Sequence, residues 1–413
     1  MRVLCLASYH YPEQAASLYL YNNLYQKLVE SGMRVDIVTP VPTRGISEQQ
    51  RLDFRNKRRE DLYEGMMVVH RFPLVSEGKN PLIRALRYSV QCVKQFNRGA
   101  FSKDARKCDV IFTASTPPIQ GAMTSLVKKF NKKPFVYNLQ DIFPDSLAGT
   151  GLAKRGGLIW KIGLVIENFT YRNADKIIVI SEDFKKNIMA KGVPEDKIVV
   201  VYNWVDENAV VDVPRTENKL FEKYNLDPSK FYVTYNGNIG LTQNMDMLLD
   251  VAKELEAIED IQFVLVGNGA YLEQVEYIIK DRNISNVHLL PFQPYEDISY
   301  VFSLGDVSLV ISKPGVGANS VPSKTWSIMS ASRPVLANFD ENELKHIIED
   351  NNCGIFTKAG DKMAFKDAIL KLYNDKPLCE QLGRNGRQFV MDNLTREVGT
   401  QKYVEVIKSF EKN

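Results

Sequence analysis

The sequence predicts an α/β protein of two successive domains, each a doubly wound, Rossmann-like parallel sheet with helices on both faces. Short apolar runs alternate with stretches of helical period from the first residues to about residue 200. The alternation breaks near residue 205 and then starts again. At 413 residues, the chain is also longer than one hydrophobic core usually organises. Strand–helix alternation implies parallel strands buried on both faces, joined by right-handed crossovers. Ligands of such sheets bind beyond the carboxyl ends of the strands, so both domains are expected to turn those ends toward a shared cleft.

In the first domain, residues 1–205, strands are expected at Arg2–Ser8, Val35–Thr39, Met67–His70, Val110–Thr113, Phe135–Asn138 and Lys176–Ile180. Ala15–Ser31 reads as a helix, with Leu18, Leu20, Leu24, Leu28 and Val29 at mostly helical spacing and Gly32 as its stop. Pro42–Asp61 is polar and arginine-rich and reads as a mobile loop, and Glu207–Asn218, without clear period, reads as the linker. The second domain, residues 206–390, has expected strands at Phe231–Tyr235, Gln262–Val266, Val287–Leu290, Val307–Ile311 and Pro334–Ala337. Asp361–Phe410 is helical by pattern with a break at Gly383–Gly386, and residues 391–413 form a last helix.

Hydrophobic content of 44% and charged content of 25% are those of a soluble globular protein. No apolar run reaches the roughly 18 residues that cross a bilayer, and Met1–Ser8 lacks the long apolar core and cleavage site of a secretory leader. Cys5, Cys92, Cys108, Cys353 and Cys379 are scattered and odd in number, which fits a reducing cytoplasm. Neither they nor the four histidines show ligand spacing, so no metal is expected. The net charge of +3 hides an asymmetry: residues 1–205 carry 31 basic and 19 acidic side chains, +12, whereas residues 206–413 carry 22 and 31, −9. Such a difference suggests domains with different partners.

Three strand ends in the second domain carry glycines where a ligand would sit: Asn236–Gly240, Gly267–Gly269, and Lys313–Arg333 with Gly315 and Gly317. Glycine permits close backbone approach, as a diphosphate cradle requires. In the third stretch, Pro322-Ser323-Lys324 opens a short helix whose first amides, together with Lys324, suit a phosphate. The plainer reading is an ordinary strand-to-helix turn. Together the three ends point to a nucleotide-type ligand. In the first domain, Asp141 lies closest to the end of a strand and is the candidate for binding or orienting a hydroxyl acceptor, whereas Asp145-Ser146 also reads as a helix cap. His10, just past the first strand, is a second candidate, although an aromatic-flanked histidine is as often packed as reactive. Tyr9–Gln14 lacks the glycines of a dinucleotide fingerprint, and no P-loop, hydrolase elbow or nucleic-acid-reading signature is present.

In the segments Ser115–Pro118, Asp141–Ser146, Val179–Ser181, Asn203–Asp206, Gly237–Gln243, Gly267–Gly269 and Val321–Lys324, the chain resembles bacterial glycosyltransferases of family 4, which have the GT-B fold. It is most similar to the branch that includes L-fucosamine transferases of surface-polysaccharide synthesis. The resemblance implies a nucleotide-sugar donor in the second domain and an acceptor in the first. It also implies transfer with retained configuration, no metal or other cofactor, and a last helix that returns to the first domain. The implied donor-binding residues are Gly237, Asn238, Gly240, Gln243, Gly267, Asn268, Phe292, Gln293, Ser323, Lys324 and Ser327, with the base near Phe292-Gln293 and the phosphates near Gly240 and Lys324. Asp141, Lys324 and His10 are the candidates for the chemistry. The sequence departs from the wider family, which has two glutamates where Asn319 and Ser327 stand, and an arginine and a lysine where Asn238 and Gln243 stand. Ser327 offers only a neutral hydrogen bond, which leaves Lys324 and backbone amides to stabilise a departing diphosphate.

Leu82–Arg98 reads as an amphipathic basic helix, with Leu82, Leu86, Val90 and Val93 on one face and Arg84, Arg87, Lys94 and Arg98 supplying charge. With the arginine-rich stretch at residues 51–59, it predicts peripheral docking on the anionic inner face of the plasma membrane. The alternative is a surface helix that buries its apolar side. The function expected is a retaining, metal-independent transferase moving a sugar, with an N-acetylated amino sugar among the candidates, from a UDP-linked donor. The expected acceptor is a lipid-linked saccharide in capsule, O-antigen or exopolysaccharide synthesis. A GT-B UDP-sugar 2-epimerase and a non-catalytic nucleotide-sugar-binding homologue are the other readings.

Overall fold

The apolar runs become the strands of two separate sheets in the computed structural model, which describes residues 1–14, 18–76, 81–145, 154, 156–317 and 321–411. The chain divides into one unit of Met1–Tyr202 with Gly399–Asn413 and another of Asn203–Val398. The sheet of the first unit comprises β1 Arg2–Leu6, β2 Arg34–Pro40, β3 Arg59–Leu62, β4 Met67–Phe72, β5 Val110–Ala114, β6 Phe135–Leu139, β7 Lys176–Val179 and β8 Ile198–Val200. Their order is β3-β4-β2-β1-β5-β6-β7-β8, so the chain winds outward from β1 in both directions. All pairs are parallel except β3 with β4, where β3 closes one edge antiparallel.

The second sheet is wholly parallel, with β9 Phe231–Asn238, β10 Ile261–Asn268, β11 Val287–Leu290, β12 Val307–Ile311, β13 Val335–Phe339 and β14 Gly354–Lys358 in the order β11-β10-β9-β12-β13-β14. Winding reverses between β9 and β12, and that switch point is where a doubly wound sheet leaves room for a ligand. Phe231, Val233 and Tyr235 bury one face of β9 in the main core, while Tyr232 joins a second core on the other face.

Several expectations change. Pro42–Asp61 is no loop: it holds a helix, Glu48–Arg55, and β3. The local signal is a capping box, in which the Gln50 amide donates to Ser47 Oγ at 3.2 Å and the Ser47 amide to Gln50 Oε1 at 2.9 Å. The short strands β8 and β14 also escape a pattern reading. The helix Lys376–Asn393 runs straight through Gly383 and Gly386. Gly383 is there for clearance, since a Cβ on it would lie 2.1 Å from the Ser332 carbonyl. The segment read as a linker is laid along the second unit, with the Val211 and Val213 amides donating to Ser299 Oγ and Ser303 Oγ at 3.1 and 3.0 Å.

The last helix, Arg396–Lys408, gives its residues from Gly399 onward to the first unit. There the buried Tyr403 donates to Asn138 Oδ1 at 3.1 Å and meets Phe112 edge-on. The expected basic helix spans Pro81–Phe101, but its polarity runs opposite to that of a surface helix with a buried apolar side. Leu86, Val90 and Val93 are exposed, while Arg87, Gln91 and Gln95 are buried. Arg87 therefore supplies no surface charge: its guanidinium donates to the Val75 carbonyl and to Thr43 Oγ1. The side chain of Leu82, the start of the first helix at Ala15, and Ser146 and Asn319 lie outside the described residues.

Candidate functional site

At the carboxyl end of the second sheet, β9 and β10 run side by side with Gly237 opposite Gly267. A Cβ on Gly267 would sit 1.9 Å from the Gly237 carbonyl, and one on Gly269 would sit 2.2 Å from that of Ile239. Backbone cannot yield to such contacts, and Gly267 also has φ +157°. These glycines bring two strand ends together more closely than any side chain permits. The following turn is braced internally. The Gly240 amide donates to Gln243 Oε1 at 3.1 Å, and the Gly269 amide to Asn268 Oδ1 at 2.7 Å.

Lys324 reaches into this edge from the start of the helix Lys324–Ser330. Its Nζ lies 3.8 Å from the centre of the Tyr235 ring and 3.2 Å from where a Cβ on Gly237 would be. Tyr235 is held in turn by its hydroxyl, which donates to the Asn238 carbonyl at 2.7 Å. Among the described residues no carboxylate pairs with Lys324, and burial lowers its pKa to about 7. The ring face stabilises the ammonium, but desolvation outweighs it. An anion arriving beside Nζ would restore the proton. The helix is fixed behind Lys324: Ser330 Oγ donates to the Val210 carbonyl at 2.6 Å, Arg387 donates to Ser330 Oγ at 2.9 Å, and Trp326 packs against Phe389.

The rest of the Lys313–Arg333 stretch serves differently from the expected anion-binding turn. The helix has only seven residues, and the Thr325 and Trp326 amides already donate to the Pro322 and Ser323 carbonyls. The Gly315 and Gly317 amides donate to the two oxygens of Asp340 at 2.9 and 2.8 Å. The glycine loop thus binds an anion, but one supplied by the chain itself. Lys324 faces the β9 edge, with Lys313 close by over the Tyr271 ring, and half-buried Ser327 lies one turn on along the same side of the helix. Ser323 is exposed and makes no capping bond.

Phe292 is 74% exposed, whereas Gln293 is buried, accepting from Lys223 at 3.0 Å and donating to Tyr224 Oη at 2.7 Å. Its side chain is committed to the fold. Sequence reasoning gave no role of their own to Asn236, Ser312 and Thr325, all buried, although Asn236 and Thr325 fall within stretches it singled out. Both polar atoms of Asn236 and the hydroxyls of the other two lack a hydrogen-bond partner among the described residues. Their one signal is position: polar residues at the ends of β9 and β12 and beside Lys324, where apolar ones would serve packing better.

In the first unit a cavity of about 190 Å³ opens beyond β1 and β5, walled by Ser8, Tyr9, Tyr21, Tyr25, Arg44 and Thr116 among others. Ser8 Oγ donates to the Thr116 carbonyl at 2.6 Å and accepts from Gln91 at 2.8 Å. His10 is buried and stacks on Tyr25 with ring centres 6.1 Å apart. Burial, then the Arg71 guanidinium, lowers its pKa to about 4, so the imidazole is neutral at physiological pH. Asp141 follows β6 and is exposed. Asp145 accepts from Lys191 at 2.8 Å, and Lys191 also holds Glu167 at 2.9 Å; the residues that Asp145 would cap, from Ser146 on, lie outside the described residues.

Comparison with known proteins agrees with this layout. Residues 20–209 match the family described as Glycosyltransferase Family 4, and residues 216–389 match Glycosyl transferases group 1. The chain is 24% identical to the probable glycosyltransferase WbjE of Pseudomonas aeruginosa, over 81% of each chain. It is 27% identical to the putative colanic acid biosynthesis glycosyl transferase WcaI of Escherichia coli K12, over 50% of this chain and 51% of that one. Its fold matches the crystal structure of Anabaena Alr3699/HepE in complex with UDP, with a TM-score of 0.73 at 16% identity over 99% of this chain and 100% of that one. Two parallel-sheet α/β units, in the order of a Family 4 domain and then a group 1 domain, make this chain a glycosyltransferase of the GT-B fold.

Proposed function

We propose that the protein transfers a sugar, with retention and without a metal, from a UDP-linked donor held by the second unit. The proposed acceptor is a lipid-linked saccharide engaged by the first unit, in the synthesis of a capsule, O-antigen or exopolysaccharide. The observation that carries this reading is Lys324, a desolvated lysine with no carboxylate partner among the described residues, set 3.8 Å above the Tyr235 ring at the close-packed glycine edge. A donor diphosphate beside Nζ would recover the proton that burial disfavours, and the ammonium would then neutralise the leaving phosphate. Asn238, Gly240, Gln243 and Asn268 shape that edge, Ser327 offers a neutral hydrogen bond to a sugar or ribose hydroxyl, and Phe292 offers a face for the base. On the acceptor side, Asp141 orients a hydroxyl and His10 stays neutral. UDP is the nucleotide bound in the HepE structure, and the E. coli relative is described as a colanic acid enzyme, which support the donor and the pathway class.

The test is UDP release from candidate UDP-sugars with and without a lipid-linked saccharide, in the presence of EDTA, with the product anomer read by NMR. Acceptor-dependent UDP release, insensitive to EDTA and with retained configuration, is expected. Interconversion of UDP-sugars without acceptor would replace transfer by epimerisation. Binding without turnover across a broad panel would leave a nucleotide-sugar-binding homologue.

A further inference from the structure

Tyr235 ties together the parts of the β9 edge on which the donor site depends. It is fully buried in the core of the second unit, in a cluster with Val233, Ile239 and Met245. Its hydroxyl donates to the Asn238 carbonyl at 2.7 Å, which fixes the ring to the turn after Gly237. Over its face stands Lys324 Nζ, 3.8 Å from the ring centre, well inside the roughly 6 Å over which a ring attracts a cation. A Cβ on Gly237 would lie 3.2 Å from that Nζ and 3.5 Å from Cε, so the glycine leaves the lysine its path to the ring.

The charged groups of the neighbouring elements are engaged elsewhere. Lys313 lies over the Tyr271 ring at 5.5 Å, and the Tyr271 hydroxyl donates to Asp246 at 2.9 Å. Asp340 accepts from the Gly315 and Gly317 amides, and Arg387 donates to the Val210 carbonyl at 3.0 Å. A ring in place of a carboxylate has a chemical consequence. A carboxylate beside Nζ would take up its N–H donors and cancel the charge that a phosphate needs. A ring face attracts the ammonium through its quadrupole and brings no net charge. The N–H donors that do not face the ring stay available to an anion.

We propose that Tyr235 is a positioning residue, whose ring holds the Lys324 ammonium at the Gly237 edge with its donors open to the donor phosphate. The proposal rests on the donor site of the proposed function and adds to it a residue that acts through Lys324 alone. Because the ring favours the charged form, its effect on binding has a pH signature. Below the Lys324 pKa the free lysine already carries its proton, and a weaker ring changes little. Above that pKa binding must take up the proton, and a weaker ring lowers affinity by as much as it lowers the pKa.

The test weakens the ring's field without changing its shape. Tyr235→Phe keeps the face and gives up the hydroxyl bond. Placing 3,4,5-trifluorophenylalanine at the same position also withdraws negative charge from the face. At about pH 8.5 the fluorinated protein is expected to bind UDP about three- to tenfold more weakly than Tyr235→Phe, and at about pH 6 about equally well. In a Lys324→Met background the difference should vanish at both. With no UDP present, NMR of isotope-labelled lysine should show Lys324 titrating at lower pH in the fluorinated protein. Equal UDP affinity at the higher pH, an equal Lys324 titration, or a difference that survives Lys324→Met overturns the proposal. A lysine that titrates lower on fluorination, in a protein that does not bind UDP, supports the Tyr235 contact and removes the donor reading instead.

Discussion

Two glycine-bearing edges of the second sheet look alike in sequence and behave differently in the fold. After β12, Gly315 and Gly317 direct their amides at a carboxylate, Asp340, that belongs to the chain. After β9 and β10, Gly237 and Gly267 close two strand ends onto each other beneath a lysine with no carboxylate partner among the described residues. The first edge is electrostatically complete. The second carries a lysine whose burial lowers its pKa to about 7, so an anion beside it would favour the charged form. A glycine-rich strand end is therefore a backbone geometry, and the charges around it decide whether it receives a ligand or stabilises a loop.

The comparison can be broken most severely at Gly267. Gly267→Ala places a methyl 1.9 Å from the Gly237 carbonyl, so a loss of about 3 kcal/mol or more is expected. Chemical denaturation reads it, and a loss below about 0.5 kcal/mol would mean that the two strand ends are free to part.

Next comes pH. The Lys324 pKa of about 7 in the free protein should rise when a diphosphate binds, so binding takes up a proton. UDP affinity should then be highest near and below pH 7 and fall, by up to about tenfold per pH unit, as pH rises from there toward the pKa of the complex. A flat profile above pH 7 would remove Lys324 from the phosphate site. Without ligand the same linkage acts on stability. Unfolding returns the lysine to its ordinary pKa, so between about 7 and that value the unfolded chain binds more protons. Over that window its contribution to stability rises with pH, and Lys324→Met should stabilise the protein most near and below pH 7.

The smallest effect on ligand is expected at the other edge. Asp340→Asn leaves one of the Gly315 and Gly317 amides facing an NH₂ group, a cost of about 1–3 kcal/mol in stability. Donor affinity should move less than about threefold, because that loop's anion is internal. A collapse of UDP binding in a folded Asp340→Asn protein would erase the distinction between the edges.

The sheets were legible because their strands are apolar runs bounded by turn residues, and such runs have few other fates. The close approach of β9 and β10 at Gly237 and Gly267 was legible for a related reason: only glycine lets two backbones meet there. Asp340 was not, because no local pattern says where a carboxylate after β13 will direct its oxygens. Arg87 and the stripe of the Pro81–Phe101 helix show a second limit. Periodicity reveals an amphipathic helix but not which side faces the sheet, and here Gln91, Gln95 and Gln120 form a bonded polar layer that takes the inner side. Asn236, Ser312 and Thr325 received no role of their own, since a single polar residue at a strand end carries no period. The capping box at Ser47 and Gln50 was readable, but the surrounding arginines masked it.

The central claim is that Lys324 holds the donor diphosphate at the β9 edge. Calorimetric titration of UDP into the wild type and into Lys324→Met at pH 7 tests it most directly. A charge-assisted contact of about 1.5–3 kcal/mol predicts a loss of about 10- to 100-fold in affinity in a variant that melts cooperatively. Equal affinity in the two proteins would contradict it.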